Sequence, residues 1–414
     1  MMQSIDLTFR NNIGKGRHGW IRLTPAYSIE LVQTLVEGLG AHERPYVLDP
    51  FSGTGTTGLV CAKHGVPCDL YEINPFLAWL SETKTKRYTT PQLEATVAAA
   101  STVVSRAREA HGDKLWLPSI HNITRWWRPT ILQVLSGICN AIREQAGDEQ
   151  VSNLLKVAFC KILIGWSNAA FNHQSMSFKT DDGSRIPESL ATTKRILSSF
   201  EEAVRSIVSD ARENPRATVR VLTHNSKQMP AGMGKMYSSV ITSPPYTNRI
   251  SYVREVRPYM YWLAFIDNAR QASKLDWEAI GGTWGIATSW LMRWSPVGYF
   301  GSDAAFLRMI ERIRLKSPLL ANYVHRYFED MYSHFSSLRS VLRGDAEIHY
   351  IIGNPKFYDV IVPTEEICSG LLERFGFKET RIERLRRRTS KKQLHEYHVS
   401  AKWDRCRGTE SVGI

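Results

Sequence analysis

The sequence predicts an α/β protein built on a doubly wound, mostly parallel sheet and carrying a long helical insertion. Three observations support this. First, "RPYVLDPFSGTGTTGLVCAKHG" (44–65) runs from a short apolar stretch through a glycine-rich turn into a helix start, and "VPCDLYEIN" (66–74) adds a second short strand ending in an acid. That is a β-turn-α-β unit, the core of a doubly wound sheet. Second, strand signals return at "ATVRVLTHNS", "MYSSVITSPPY" and "EIHYIIGN", separated by helical patterns. Third, residues 92–212 show helical spacing throughout.

Taken in order, "YSIELVQTLVEGLG" (27–40) has apolar residues at helical spacing and ends at glycines. The strand, turn and helix at 44–65 follow. The insertion contains "TVAAASTVVSRAREA", "PTILQVLSGICNAIREQ", "VSNLLKVAFCKILIGW" and "TTKRILSSFEEAVRSIVSDAREN", all read as helices. In "ITSPPYTN" (241–248) adjacent prolines stop a buried strand, because they have no N–H to give to a sheet. A helix over "YVREVRPYMYWLAFI" comes next. The segment 271–320, rich in Gly, Ser and aromatics, reads as irregular. A helix at "NYVHRYFEDMYSHFSSLRSVLRG", the strand "EIHYIIGN" and a helix at "TEEICSGLLERFG" follow, and two strands near 377–385 and 395–402 flank the basic run "RLRRRTSKK".

Bulk composition narrows the class. Lys plus Arg is 53 against 40 Asp plus Glu, a formal charge of +13 over 414 residues. This excess favours an anionic partner such as nucleic acid. The cysteines are scattered with no Cys-x-x-Cys pair and no His-rich cluster, which argues against a zinc module or a disulfide framework; no metal is expected. "MMQSIDLTFR" lacks an apolar signal core, and Lys161 breaks the longest apolar run. A soluble, cytoplasmic protein without membrane association is the expectation.

Gly53-x-Gly55-x-x-Gly58 allows a tight turn and close backbone approach to a ligand at a helix N-terminus. Alone it would suit a dinucleotide oxidoreductase, with Glu72 placed to hold a ribose. The residues before it tilt the choice, because Asp49, Pro50 and Phe51 intervene between strand and glycine. "DPFSGTG" resembles motif I of S-adenosylmethionine-dependent methyltransferases. "TSPPY" resembles motif IV of the amino-methyltransferases, which modify exocyclic amines of bases.

The resemblance implies a class I, Rossmann-like methyltransferase fold, closed by an antiparallel hairpin at "RLRRRTSKKQLHEYHVSAKW". It spans about 1–90 and 216–403, leaving 91–215 as a helical insertion and 271–320 as a second one, each a candidate for DNA recognition. It implies S-adenosylmethionine as cofactor, held by the loop of Asp49, Phe51, Ser52, Gly53, Thr54 and Gly55, by Glu72, by Thr24 and Pro25 in a motif X-like stretch, and by Asn225 in the motif III position, where an Asp is more usual. Ser243 and the Pro244 carbonyl would accept hydrogen bonds from an exocyclic amine, Pro245 would stiffen the turn, and Tyr246 would stack on a flipped base. Ser at the first motif IV position favours cytosine N4 over adenine N6. Cys68, although preceded by Pro67, lies on the second strand and reads as a core cysteine instead of a C5-type nucleophile.

Arg249, Arg254 and Arg257, just past the turn, and Arg386, Arg387, Arg388 and Lys391 in the basic run are the expected contacts to double-stranded DNA. Internal pairing is the competing reading for the first group and a solvated loop for the second. Trp126 and Trp127 read as core, and Asn172, His173 and Gln174 as a polar loop or helix end. Family habit adds a partner restriction endonuclease. An RNA methyltransferase using the same chemistry stays open as an alternative.

Overall fold

The computed structural model describes residues 14, 16–21, 28–39, 43–110, 115–145, 147–170, 177–179, 190–230, 232, 234–249, 251–283, 285–388 and 393–404. Its centre is a seven-stranded sheet. We number the strands β1 (Val47–Asp49), β2 (Cys68–Glu72), β3 (Val219–Thr223), β4 (Tyr237–Thr242), β5 (Leu342–Gly353), β6 (Lys378–Arg387) and β7 (His395–Asp404). Their spatial order is β6-β7-β5-β4-β1-β2-β3. Strands β1 to β5 pair in parallel, and β7 runs antiparallel between β5 and β6. This is the mostly parallel, Rossmann-like sheet with an antiparallel hairpin that the motifs imply. The chain winds outward from β1 through β2 to β3, then returns to the other side of β1 to form β4. The order therefore reverses between β1 and β4, and a crevice opens there at the carboxyl ends of the strands.

Both faces of the sheet are covered, and the period-two alternation of the strands sorts residues between them. Val47, Cys68, Leu70, Ile241 and Ile351 share one apolar cluster with α1 (Ile29–Gly38) and α2 (Thr56–Lys63). Their neighbours Leu48, Tyr71, Val240, Tyr350 and Ile352 belong to a second cluster on the opposite face. Cys68 is fully buried within β2. Next to it, near the start of β2, the buried Asp69 carboxylate accepts from Tyr46 (2.8 Å), Tyr237 (2.6 Å) and the Arg220 guanidinium (2.8 Å), pinning β2 to β3 and β4.

Helix α3 (Pro75–Thr85) follows β2, and the insertion then supplies α4 (Thr90–Glu109), α5 (Pro129–Arg143), α6 (Glu149–Gly165) and α7 (Leu190–Ala211). The helix starts carry the expected signals: Thr89 and Gln92 form a capping box on α4, and Asp148 caps α6 by accepting from Gln150 N–H. These helices share one continuous apolar cluster with Phe76, Leu77 and Leu80 of α3 and with Val253, Val256, Tyr259 and Met260 of α8 (Tyr252–Trp262). Trp126 and Trp127 are in that core, as expected. Trp262 is fully buried, with ring centroids 5.5 Å from Phe159, 5.7 Å from Trp127 and 6.3 Å from Trp116.

The structure corrects the reading of 271–320 as irregular. It contains α9 (Ala269–Glu278), α10 (Ile286–Arg293) and α11 (Ala304–Arg314), followed by α12 (Pro318–Leu338). The first two are short, and the Gly- and Ser-rich stretches that suggested irregular structure mark the joints between them. Asn268 and Asp303 cap α9 and α11 by accepting from Gln271 and Phe306 N–H. Helix α13 (Thr364–Arg374) precedes the hairpin. The hairpin strands also run longer than expected, so Arg386 and Arg387 lie on β6 and not in a loop. No described helix is long and apolar enough to cross a membrane.

Replacing Trp262 by Ala should cost about 3–5 kcal/mol, as for other buried large-to-small changes. Urea unfolding would measure it. A loss under about 1 kcal/mol would show that the insertion is not held to α8 through this side chain.

Candidate active site

The glycine loop, Glu72 and the Ser-Pro-Pro-Tyr turn all sit at the carboxyl ends of neighbouring strands β2, β1 and β4. Register puts them side by side: Asp49 pairs with Leu70, and Leu48 with Val240. The carboxylate of Asp49 is fully buried at the end of β1. It accepts from Phe51 N–H (3.1 Å), from Thr57 Oγ1 at the start of α2 (2.5 Å) and from Thr242 Oγ1 at the end of β4 (2.6 Å). Its role in the structure is to tie the loop to the strand that leads into Ser243.

Gly53 and Gly55 both have positive φ, 52° and 80°, which glycine adopts without strain. A Cβ on Gly55 would fall 3.0 Å from Ser81 Cβ, whereas a Cβ on Gly53 would meet none of the described residues within 4 Å. The loop is supported from beneath by α3. Ser81 Oγ donates to the Gly53 carbonyl (3.0 Å), and Lys84 Nζ donates to the carbonyls of Thr54 (3.2 Å) and His18 (3.4 Å). Burial alone pushes the Lys84 amine down to about 7. Arg17 pins the stretch preceding α1, donating to the carbonyls of Lys84, Lys86 and Ala211. Phe51 is half-buried against the His334 ring, centroids 4.8 Å apart, and burial pushes that imidazole down to about 4, so it is neutral.

Glu72 ends β2 and is buried. Its Oε2 accepts from Gly53 N–H (2.9 Å) and its Oε1 from Asn74 N–H (2.8 Å). Burial pushes its carboxyl up to about 7, against the opposing pull of these N–H donors, with the Asp49 charge adding to the rise. Ser52 Oγ is buried and has no hydrogen-bond partner among the described residues. Asn225, just past β3, accepts from Lys227 N–H (3.1 Å) and donates to the Glu278 carbonyl (3.2 Å), so both ends of its amide serve the local fold.

Past β4, Ser243 Oγ donates to the Ile351 carbonyl (3.1 Å) and lies 3.5 Å from the Tyr246 hydroxyl. Pro244 is buried and Pro245 half-buried. The chain then turns sharply: the Tyr246 carbonyl accepts from Asn248 N–H (2.7 Å), and Arg249 takes a left-handed φ of 61° with its N–H donating to Tyr323 OH (3.0 Å). The loop between α9 and α10 reaches this turn, since a Cβ on Gly281 would lie 3.8 Å from Pro245 Cβ.

Tyr246 is gripped by the hairpin. Its hydroxyl donates to Glu396 Oε1 (2.8 Å), and burial together with the Glu396 charge holds the phenol well above its usual range, so it stays protonated. Glu396 pairs across strands with Gly353 on one side and Arg386 on the other. Arg386 Nε donates to Glu396 Oε2 (2.6 Å). The Arg388 guanidinium lies over the Tyr246 ring, 5.0 Å from its centroid, and donates to the Asn354 carbonyl (3.3 Å). A Cβ on Gly353 would come within 2.8 Å of the Tyr246 ring and 2.6 Å of Arg388 Nη1, so only glycine fits beneath them.

The expected DNA contacts fall into distinct settings. Arg249 and Arg387 are exposed. Arg254 is half-buried on the first turn of α8. Arg257 lies over the Trp126 ring, 5.3 Å from its centroid, and burial lowers its pKa. Arg386 and Arg388 belong to the Tyr246 cluster. Thr24, Pro25, Asn172, His173, Gln174 and Lys391 lie outside the described residues. Sequence reasoning missed Glu396, Gly353, Ser81 and Lys84. The pairing of Arg386 with Glu396 was hidden by a register shift between Arg384 and Arg386. Among the described residues, no group of three or more His, Cys, Asp or Glu comes together to hold a metal ion.

No family model matches the chain. It is similar to type II methyltransferases. It is 21% identical to M.AvaI of Nostoc sp. (strain PCC 7120 / SAG 25.82 / UTEX 2576), over 91% of this chain and 82% of that protein. It is 21% identical to M.BsoBI of Geobacillus stearothermophilus (94% and 85%) and 20% identical to M.MvaI of Kocuria varians (79% and 74%). The methyltransferase resemblance carried by the short motifs thus extends through most of the chain. At 91% coverage it takes in the helical insertion, which the motifs did not reach.

Asp49→Asn leaves Thr57 or Thr242 facing an amide N–H. Such a loss inside a buried network should cost about 1–3 kcal/mol. An unchanged urea midpoint would show that the Asp49 bonds do not hold loop and strand together.

Proposed function

We propose that this protein is a DNA methyltransferase that transfers the methyl group of S-adenosylmethionine to an exocyclic amine of a base flipped out of double-stranded DNA. Cytosine N4 is the favoured acceptor and adenine N6 the alternative. The observation that carries the reading is the juxtaposition of the Gly53–Gly55 loop and Glu72 with the Ser243–Tyr246 turn at one switch point of one sheet. Similarity to type II methyltransferases over most of the chain supports it, and that name suggests the modification half of a restriction system.

The loop residues fit the cofactor. Among the described residues, Ser52 presents a buried hydroxyl without a partner, and Gly53 leaves open space where any other side chain would project. Glu72 uses one acceptor site on each oxygen for backbone N–H, which leaves the paired acceptors that suit a ribose diol. When bound, S-adenosylmethionine supplies an electrophilic methyl group on a sulfonium sulfur.

On the acceptor side, Ser243 gives its proton to the Ile351 carbonyl, so its oxygen keeps lone pairs turned to accept from an amine. The Pro244 carbonyl is the second acceptor. Two acceptors on an exocyclic NH2 draw its lone pair out of conjugation with the ring and onto nitrogen. Because the prolines and the Asp49 network fix these oxygens beforehand, little reorganisation is needed at the moment of reaction. Tyr246 offers the aromatic surface for the base. Arg249 and Arg387, exposed near the turn and on the hairpin, serve the DNA backbone. The loop at Gly281 lies beside Pro245, which favours the 271–320 segment over the helical insertion as the candidate reader of sequence.

The deciding experiment incubates the protein with plasmid DNA and methyl-labelled S-adenosylmethionine, then digests the DNA to nucleosides. Labelled N4-methylcytosine is the expected product. N6-methyladenine would keep the mechanism and reverse the base preference, and label in RNA but not in DNA would replace the substrate. Ser243→Ala should lower turnover by roughly a hundredfold or more while leaving DNA affinity in place; equal loss of both would point to misfolding.

The raised Glu72 pKa sets a pH dependence. In the ligand-free protein the stability contributed by neutral Glu72 is present below about 4.5 and is lost as pH rises through about 7. A diol-binding carboxylate needs the opposite, ionised form. Cofactor affinity should therefore fall roughly tenfold per pH unit below about 7. Calorimetric titration across this range measures it, with Glu72→Gln expected to bind weakly and without the slope. A flat wild-type profile would remove Glu72 from the cofactor site.

A further inference from the structure

The Ser-Pro-Pro-Tyr turn does not fix its own tyrosine. The side chains that do so come from the closing hairpin, 150 positions away in the chain. The Tyr246 hydroxyl lies on the ring's own axis, so its 2.8 Å bond to Glu396 fixes where the ring points without fixing its plane. The plane is confined by Arg388 over the ring and by the bare Cα of Gly353 against it. Glu396 is itself held by Arg386, opposite it across the strands, just past the register shift that breaks the regular pairing of β6. Bulges of this kind re-aim side chains beside functional sites. An ion pair whose carboxylate is buried and whose guanidinium is partly exposed is a weak source of stability, because the carboxylate loses its water. Here it spends one carboxylate oxygen on a side chain of the catalytic turn.

We propose that Glu396 is a positioning residue for the methyl-transfer reaction: by accepting from the Tyr246 hydroxyl while paired with Arg386, it sets the direction of the Tyr246 ring before a base arrives. This rests on the function proposed above. Glu396 touches neither cofactor nor base in this scheme. Its effect passes through Tyr246 alone, and that makes it separable from a general role in holding the hairpin.

The test is a double-mutant cycle read in three ways: kcat and KM for methyl transfer to plasmid DNA, equilibrium affinity for the same DNA without cofactor, and the thermal midpoint. Glu396→Ala should lower kcat about tenfold, the worth of one well-placed hydrogen bond, with KM and cofactor-free DNA affinity nearly unchanged. Tyr246→Phe, which keeps the ring and loses the hydroxyl, should do the same. The double variant should be no slower than the slower single variant. Glu396→Gln keeps an acceptor oxygen and should recover most of the rate. Wild-type turnover in Glu396→Ala, or losses that multiply in the double variant, would overturn the proposal. If Glu396→Ala does not fold, Arg386→Gln decides. It removes the ion pair yet keeps Tyr246 bonded, so a slowed kcat that persists in the Tyr246→Phe background overturns the proposal, and a loss absorbed by that background supports it. A wild-type protein that labels no DNA would remove the functional reading and this inference together, whereas an active wild type with an indifferent Glu396 removes the inference alone.

Discussion

The Asp49 carboxylate is the constraint on which the site depends. A doubly wound sheet opens a crevice where its strand order reverses, and the two sides of that crevice belong to chain segments far apart in sequence. Asp49 bonds to the loop after β1, to the first turn of α2 and to the last residue of β4. One buried anion thus sets the distance between the glycine loop and the turn that begins at Ser243. Burying it is tolerable because its donors are fixed before any ligand arrives. The hydroxyls of Thr57 and Thr242 are fully buried with it.

Around this point the supports are layered by sequence distance. Ser81 and Lys84 brace the loop from the next helix, within about one βα unit of it. Tyr323 braces the turn at Arg249 from α12, and Glu396 and Gly353 brace Tyr246 from the last strands of the sheet. The basic run of the hairpin accordingly has two functions. Arg386 and Arg388 face inward and are engaged within the protein, while Arg381, Arg384 and Arg387 are exposed along the edge strand β6. Charge on an edge strand also discourages pairing with another chain.

What could be read from the sequence was local. Gly53 and Gly55 announced positive φ, the prolines at 244 and 245 announced a strand end, and the acid at 72 followed from the length of a βα unit. The sheet, its closing hairpin and the helical nature of the insertion were legible for the same reason: each rests on periodicity within one segment. The register between segments was not. Arg386 opposite Glu396 depends on an irregularity in β6 that leaves no mark in the residue types. The need for glycine at 353 arises from a ring and a guanidinium contributed by other segments. The helices of 271–320 were obscured because α9 and α10 are short, ten and eight residues, and bury only a few side chains each, so neither shows a long apolar stripe. Arg257, read as a phosphate contact with internal pairing as the competing reading, lies over Trp126 because the insertion folds back over α8.

That folding-back bears on how the chain reaches its native state. Strands β2 and β3 are sheet neighbours, with Asp69 bonded to Arg220 across 151 positions. Closing so long a loop as free chain carries an entropic cost before any pairing rewards it. The intervening helices shorten it. They form from local contacts, and the chain enters and leaves their bundle beside each other, where Asn214 bonds both the N–H and the carbonyl of Tyr88 (2.8 Å each). A collapsed bundle therefore delivers β3 to β2 almost as a short connection would. In this respect the insertion acts as an internal template for sheet assembly, and the order of events it favours is helices first, the parallel strands next, and the β6–β7 hairpin that completes the grip on Tyr246 last.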